Sequence, residues 1–365
     1  MTDDLLYQIA LTMVPNIGPV QANILVEHFG DAKSIFKSTV KELGNIEGIG
    51  VIKANSIKTF DSFANAESEI EFIEKYKIET LFIKDRKYPK RLLNCYDSPT
   101  LLYYRGEADL NTSKVINIIG TRNHTDYGRQ ITEQLVDELQ SHQVLIISGL
   151  AYGIDAIAHK SAIQNNLATV GVLAHGLDKI YPPQHTSLAK QMLLNGGLLT
   201  EFRRETKPDK HNFPKRNRIV AGMSDATIVI ETALKGGSMI TAELANGYNR
   251  DVFAVPGKVT DVKSLGCNHL IKNNKAILLE DCQQLIETMG WGQKKSKPRQ
   301  QKELFIALSD EEQILVNILK EKEMVHIDEI YLKSGLTSST VAASMLNLEF
   351  QNVLASLPGK MYKLL

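Results

Sequence analysis

Cysteine is scarce in this chain: Cys95, Cys267 and Cys282 are far apart, odd in number, and form no CxxC pair. Neither a disulfide framework nor a thiolate zinc site is expected, and a reducing cytosol fits. The nine histidines lack metal-ligand spacing, so no metal site is expected. An excess of one charge is also missing, since 42 Lys and Arg balance 42 Asp and Glu. That excludes a globally basic polyanion binder and leaves such a role to a local patch. No apolar run approaches the roughly 20 residues that cross a bilayer, so no membrane partner is expected. The N-terminal MTDDLLYQIALTMV begins acidic and lacks a charged n-region, so no secretory signal is expected and the protein is placed in the cytoplasm. GxxxxGK[ST] is absent, which excludes a P-loop. Gly120 and Gly128 stand eight apart after the first candidate strand, so no dinucleotide fingerprint is present and no cofactor is expected. Without a GxSxG elbow or another catalytic constellation, the chain does not read as an enzyme.

What remains is an ordinary globular composition with a changing rhythm: 365 residues, 43% hydrophobic, 23% charged, mean hydropathy −0.16. From residue 114 short apolar runs alternate with amphipathic stretches. Strands are expected at Val115–Ile119, Val144–Ile147, Thr169–Leu173, Leu198–Thr200, Ala226–Ile230 and Val252–Val255. Fully apolar strands alternating with helices imply a mostly parallel sheet covered on both faces. The expected fold is α/β, a Rossmann-like doubly wound domain. An N-terminal helical domain of helix-hairpin-helix or SAM-like type and a C-terminal winged-helix domain are expected to flank it. The expected boundaries are 1–65 for the helical domain, 66–289 for the extended Rossmann-like domain, 290–303 for a basic linker and 304–365 for the winged helix.

The terminal pieces rest on turn chemistry. Val14-Pro-Asn-Ile-Gly-Pro and Ile46-Glu-Gly-Ile-Gly each precede an apolar-periodic stretch, the pattern of helix-hairpin-helix units whose turn amides lie against phosphates. The alternative is a small helical domain that packs or dimerises. Near the C-terminus, Asp310 is expected to cap a helix to about Lys320, with helices at Ile327–Ser334 and Ser339–Glu349 and a wing at Leu354–Leu357 and Met361–Leu364. The third of these helices carries no Lys or Arg, which favours protein contact over base reading.

Candidate binding residues gather at strand ends, where doubly wound sheets bind ligands. Gly120, Thr121 and Arg122 follow the first strand. Ser148, Gly149 and Gly153 follow the second, and Lys179 lies after the third. Gly236, Gly237 and Ser238 follow the strand ending at Glu231 and open a helix, a ready anion cradle. Just upstream Phe213, Lys215, Arg216, Asn217 and Arg218 form a compact basic cluster. Together these residues point to a phosphate-bearing ligand. Phe213 is either core or a base-stacking ring, and Arg122 either meets ligand or serves the scaffold by capping the next helix or pairing with an Asp. Arg216 and Arg218, two apart, splay on a helix, one to ligand and one to a carboxylate. Asp155 and His159, at i and i+4, read as a structural pair.

On these residues the chain resembles the DNA-processing protein A (DprA, or Smf) family. The matching pieces are Gly120-Thr-Arg122, where the family usually has GSR, SGLAYGID at 148–155, GLDKIYP at 176–182, FPKRNRIVAG at 213–222, GGSMITAELA at 236–245, and VFAVPG at 252–257 with Gly266-Cys-Asn268. The resemblance implies a single-stranded DNA-binding protein of natural transformation that protects incoming strands, forms a homodimer, and loads the RecA recombinase. By motif it implies that Arg122, Lys179, Lys215, Arg216 and Arg218 meet the DNA. The rival reading is a Rossmann-like nucleotide phosphoribohydrolase with PGGxGTxxE. Gly236-Gly237 and Glu243 keep its spacing, but Met239 and Ile240 replace its Gly and Thr.

Overall fold

The computed structural model describes residues 4–292, 308–357 and 359–365, so most of the expected basic linker lies outside the described residues. The chain forms two units, one up to residue 293 and one from 294 onward.

The first unit opens with six helices: α1 (Asp4–Leu11), α2 (Pro19–Phe29), α3 (Ala32–Lys37), α4 (Val40–Gly44), α5 (Gly50–Lys58) and α6 (Phe63–Tyr76). Pro19 starts α2 with the fixed φ that suits a first helical position. Gly48, in the turn before α5, and Gly50, its first residue, take φ values of 82° and 65°. Leu25, Ile35, Leu43 and Ile57 are fully buried in the helical core, which Phe82, Leu101 and Tyr103 of the adjoining strands complete. Asn23 fixes α2 further, donating to Ser98 O at 2.8 Å and accepting from Thr100 Oγ1 at 2.7 Å.

The strands and helices that follow are β1 (Glu79–Phe82), β2 (Leu101–Gly106), β3 (Val115–Ile119), α7 (Asp126–Glu138), β4 (Leu145–Ser148), α8 (Ile154–Gln164), β5 (Thr169–Val172), α9 (Thr186–Asn195), β6 (Gly196–Thr200) and α10 (Asn212–Gly222). After these come β7 (Ala226–Val229), α11 (Gly237–Gly247), β8 (Asp251–Ala254), α12 (Leu265–Lys272), β9 (Ile277–Leu278) and α13 (Cys282–Thr288). The sheet order is β1-β2-β6-β5-β4-β3-β7-β8-β9. All pairings from β6 to β9 are parallel, and β1 and β2 join antiparallel at the β6 edge. Alternate residues of β3 serve opposite faces. Val115 and Ile119 pack with residues of α10 and α11, while Ile116 and Ile118 pack with residues of α7, α8 and α13. Burial on both faces is why the sequence reads as unbroken apolar runs. Each fully buried side chain contributes about 1.5–3 kcal/mol.

The second unit contains α14 (Asp310–Lys320), β10 (Val325–His326), α15 (Ile327–Ser334), α16 (Ser338–Phe350), β11 (Leu354–Leu357) and β12 (Met361–Leu364). Its sheet order is β10-β12-β11, so the expected wing is present with one additional short strand. The cap of α14 differs from expectation. Ser309, not Asp310, is the cap, because Ser309 Oγ accepts from Glu312 N–H while the Glu312 carboxylate accepts from Ser309 N–H. Ala342, Ala343, Leu346 and Phe350 lie on the exposed side of α16.

Candidate nucleic-acid interface

The chain runs from β3 out to β6 on one side, then returns to place β7 on the other flank of β3. Their following loops diverge, and a crevice opens at the carboxyl ends of β3 and β7, the switch point of the fold. A cavity of about 340 Å³ occupies it. Thr121 and Arg122 form one wall, Thr232 to Ser238 form the other, and Phe213, Arg216 and Asn217 of α10 line the space between.

The β3 loop is pinned from below. Thr121 N–H donates to Glu231 O at 2.7 Å. The buried Glu231 carboxylate accepts from Thr125 N–H at 2.9 Å and from the Thr125 hydroxyl. Thr125 in turn caps α7. Gly153 has φ +80° at the head of α8, and a Cβ there would lie 2.2 Å from Thr121 O. The position therefore demands glycine on both conformation and space.

The opposite wall is open backbone. A Cβ on Gly236 or Gly237 would meet nothing nearer than 3.8 Å. The first-turn amides of α11 lack helical acceptors by construction and carry the positive end of the helix dipole. Ser238 Oγ donates to Thr232 Oγ1 at 2.7 Å, which orders this wall.

Charge in the cavity is one-sided. Arg122, Arg216 and Lys235 line it against a single carboxylate, Asp155. Arg216 is 6% exposed. Its Nε donates to Asn217 Oδ1 at 3.0 Å, and a terminal nitrogen donates to Val172 O. A Cβ on Gly149 would sit 2.5 Å from Asp155 Oδ2 and 2.7 Å from both terminal nitrogens of Arg216. The two charges therefore face each other across the space that glycine leaves. Burial pushes the Asp155 carboxyl up, and Arg216 is the main opposing influence.

A second cavity of about 60 Å³ shares Arg122, Ala151, Phe213 and Arg216 with the first, so the two form one groove. Its rim is aromatic. Tyr152 and Tyr181 are 43% and 45% exposed. The Tyr181 ring centroid lies 6.3 Å from that of Phe213, and the Arg122 guanidinium sits 5.5 Å over the Phe213 ring. Phe213 is thus a half-buried groove ring and not core, and the cap of α7 is Thr125 rather than Arg122.

The structure brings Gly120, Thr121, Arg122, Gly149, Phe213, Arg216, Asn217, Gly236, Gly237 and Ser238 together in the groove. It places the other sequence candidates elsewhere. Ser148 is buried and donates to Ile118 O at 2.6 Å. Gly153 shapes backbone behind the groove without lining it. Lys179 pairs with Asp178 at 3.2 Å. Helical rotation carries Lys215 and Arg218 to a different side of α10 from Arg216, where they line a separate cavity. Arg218 there pairs with Glu201 and donates to Asp97 O. Of the two splayed arginines, Arg218 is the one hydrogen-bonded to a carboxylate. The expected Asp155–His159 pair does not form. His159 instead meets Thr169 Oγ1 and Gly149 O at 2.6 Å each, while Asp155 faces the groove. Glu243, on which a hydrolase would depend, pairs with Lys275 at 2.8 Å and does not line the groove.

Sequence reasoning missed Lys235, Tyr152 and Tyr181. Lys235 had a usable signal, standing next to the glycine pair. The two tyrosines join Phe213 only through tertiary structure. Among the described residues no cluster could hold a metal, and no helix is long and apolar enough to cross a membrane. All three cysteines are buried and free, with burial pushing their thiols up to about 11, 12 and 11 for Cys95, Cys267 and Cys282.

Comparison with known proteins now bears on this groove. The family model for the DNA recombination-mediator protein A matches residues 79–290, and that for the DprA winged helix domain matches residues 297–360. The chain belongs to the DNA recombination-mediator protein A family. This is a family of recombination mediators and not of enzymes. Protein Smf of Synechocystis sp. is 32% identical over 98% of both chains. The DNA processing protein DprA of Bacillus subtilis is 42% identical over 55% of this chain and 68% of its own. Among solved structures, DNA processing protein A of Streptococcus pneumoniae superposes with a TM-score of 0.67 at 31% identity, covering 79% of this chain and 98% of that one. The Helicobacter pylori protein, whose structure was described for its single-stranded DNA binding mode, gives 0.53 at 33% identity, covering 58% and 95%. The family match agrees with the mixed α/β domain and with the C-terminal winged helix.

Proposed function

We propose that this protein binds single-stranded DNA in the groove at the β3/β7 switch point. The observation that carries the reading is the composition of that groove: three cations against one carboxylate, an open glycine cradle at a helix start, and an aromatic rim. Phosphates suit the cations and amides, while unpaired bases suit Phe213, Tyr152 and Tyr181, since stacking tolerates any base. A duplex keeps its base faces stacked inside and cannot offer them to these rings. The DNA processing protein A of Helicobacter pylori, with its single-stranded DNA binding mode, supports the same reading. Around this binding step we place protection of incoming strands in natural transformation, loading of the RecA recombinase and action as a cytoplasmic homodimer. The apolar stripe on α16, which lacks Lys and Arg, supports a protein-contacting winged helix.

Fluorescent oligo-dT and a duplex of equal length are titrated at several salt concentrations with the wild type and with Arg122→Ala/Lys235→Ala. Salt-sensitive binding that prefers the single strand and weakens strongly in the double variant is the expected result. Equal affinity for duplex, or an unchanged double variant, overturns the assignment to this groove.

A further inference from the structure

Helix α10 presents two differently charged sides. Phe213, Arg216 and Asn217 face the groove, while Lys215 and Arg218 face a second cavity of about 510 Å³. That cavity lies between the Rossmann-like sheet and the N-terminal helices. Thr12 and the Ile17-Gly18-Pro19 turn before α2 line one side, and Arg203 lines the other. The charges in it are not all satisfied. Arg218 is committed to Glu201, and Asp97 accepts from Tyr248 Oη at 2.6 Å. Among the described residues Lys215 and Arg203 make no salt bridge within 4 Å, although Lys215 lies in the field of Glu201 and Arg203 in that of Glu69. Pro214 and Lys215 are exposed on the turn of α10 that also carries the groove ring Phe213.

We propose that this cavity is a second phosphate-binding stretch of the same strand path. DNA leaving the groove crosses the first turn of α10 and lays its next phosphates between Lys215 and Arg203, against the wall formed by Thr12 and the α2 turn. This rests on the single-strand reading of the groove and gives the N-terminal helices a direct part in binding. The charge arithmetic separates the two stretches. Each neutralised phosphate on a single strand adds about −0.7 to the log–log salt slope. The groove, with Arg216 largely offset by Asp155, supplies about two effective contacts and a slope near −1.4. Adding Lys215 and Arg203, less the Asp97 carboxylate that lines the same cavity, makes about three effective contacts and brings a longer strand to about −2.1.

The test compares oligo-dT of about 5 and about 12 nucleotides on the full chain, lengths within the range of roughly 4–16 seen for single-strand sites. Variants are Arg203→Ala, Thr12→Glu and Thr12→Lys. Thr12 is exposed and outside the groove, so its changes alter the cavity wall without touching the first stretch. The expected wild-type result is a steeper slope for the longer oligonucleotide. Arg203→Ala and Thr12→Glu then weaken the longer one by about 3- to 10-fold and leave the shorter within about 2-fold, while Thr12→Lys strengthens only the longer. Equal slopes at both lengths, or variants acting alike on both, overturn the second stretch while leaving the groove intact. Failure of the wild type to bind either length overturns the groove reading itself.

Discussion

Arg216 and Asp155 offer the sharpest perturbation of the groove. Both side chains are buried, and Asp155 accepts from Ala151 N–H at 3.3 Å. Arg216→Met removes the cation and leaves a carboxylate that burial already disfavours. Breaking a buried pair from one side costs about 3–5 kcal/mol, because the remaining charge stays desolvated. Arg216→Met/Asp155→Asn removes both charges and restores stability to within about 1–2 kcal/mol of wild type. The pH dependence supplies an independent check. Without Arg216 the Asp155 carboxyl rises further in the native state, while in the unfolded chain it stays near the ordinary aspartate value of 3.8. The native single variant then binds a proton that its unfolded state does not, so its deficit shrinks as pH falls from neutral towards that value. Urea unfolding of wild type, single and double variants at about pH 7.5 and about pH 5 reads both effects. A single variant that loses less than about 1 kcal/mol, with no pH dependence, refutes the idea that Arg216 opposes the upward push of burial on Asp155.

Two further outcomes follow from the scaffold behind the groove. Gly153→Ala forces a side chain into a left-handed conformation and against Thr121 O; a loss of about 1–3 kcal/mol is expected, read by thermal unfolding, together with weaker DNA binding as the Thr121–Arg122 loop shifts. His159 is buried and neutral, its imidazole pushed down to about 4 by desolvation first. The unfolded chain takes up this proton first, so stability is lost as pH falls from about 6.5 towards 4, about 2 kcal/mol between pH 7 and pH 5, and His159→Gln should remove that part of the slope in urea unfolding.

Much of this architecture was legible because the strands are buried on both faces. Val115–Ile119 and Ala226–Val229 could hardly be anything but central strands, and their ends located Thr121, Arg122 and the Gly236–Ser238 cradle. What escaped was set by rotation and neighbours. Arg216 and Arg218 look equivalent in sequence, yet the helical turn and the partly buried Glu201 separate them. Lys179 carries its own neutralising neighbour in Asp178. Ser148 looked like a ligand hydroxyl, but its place inside the sheet turns it onto Ile118 O. Tyr152 and Tyr181 are lone aromatics in loops, and only the fold makes a rim of them with Phe213. Likewise, the cavity beside α2 exists because the helices share a core with β1 and β2, which no local pattern announces.

The most direct test of the central claim is photo-crosslinking of iodouracil-substituted oligo-dT to the full chain, with the attached residues mapped by mass spectrometry. The account predicts crosslinks at Phe213, Tyr181 or Tyr152, where unpaired bases meet the aromatic rim. Crosslinks confined to the winged helix, or absent under saturating binding, would contradict it.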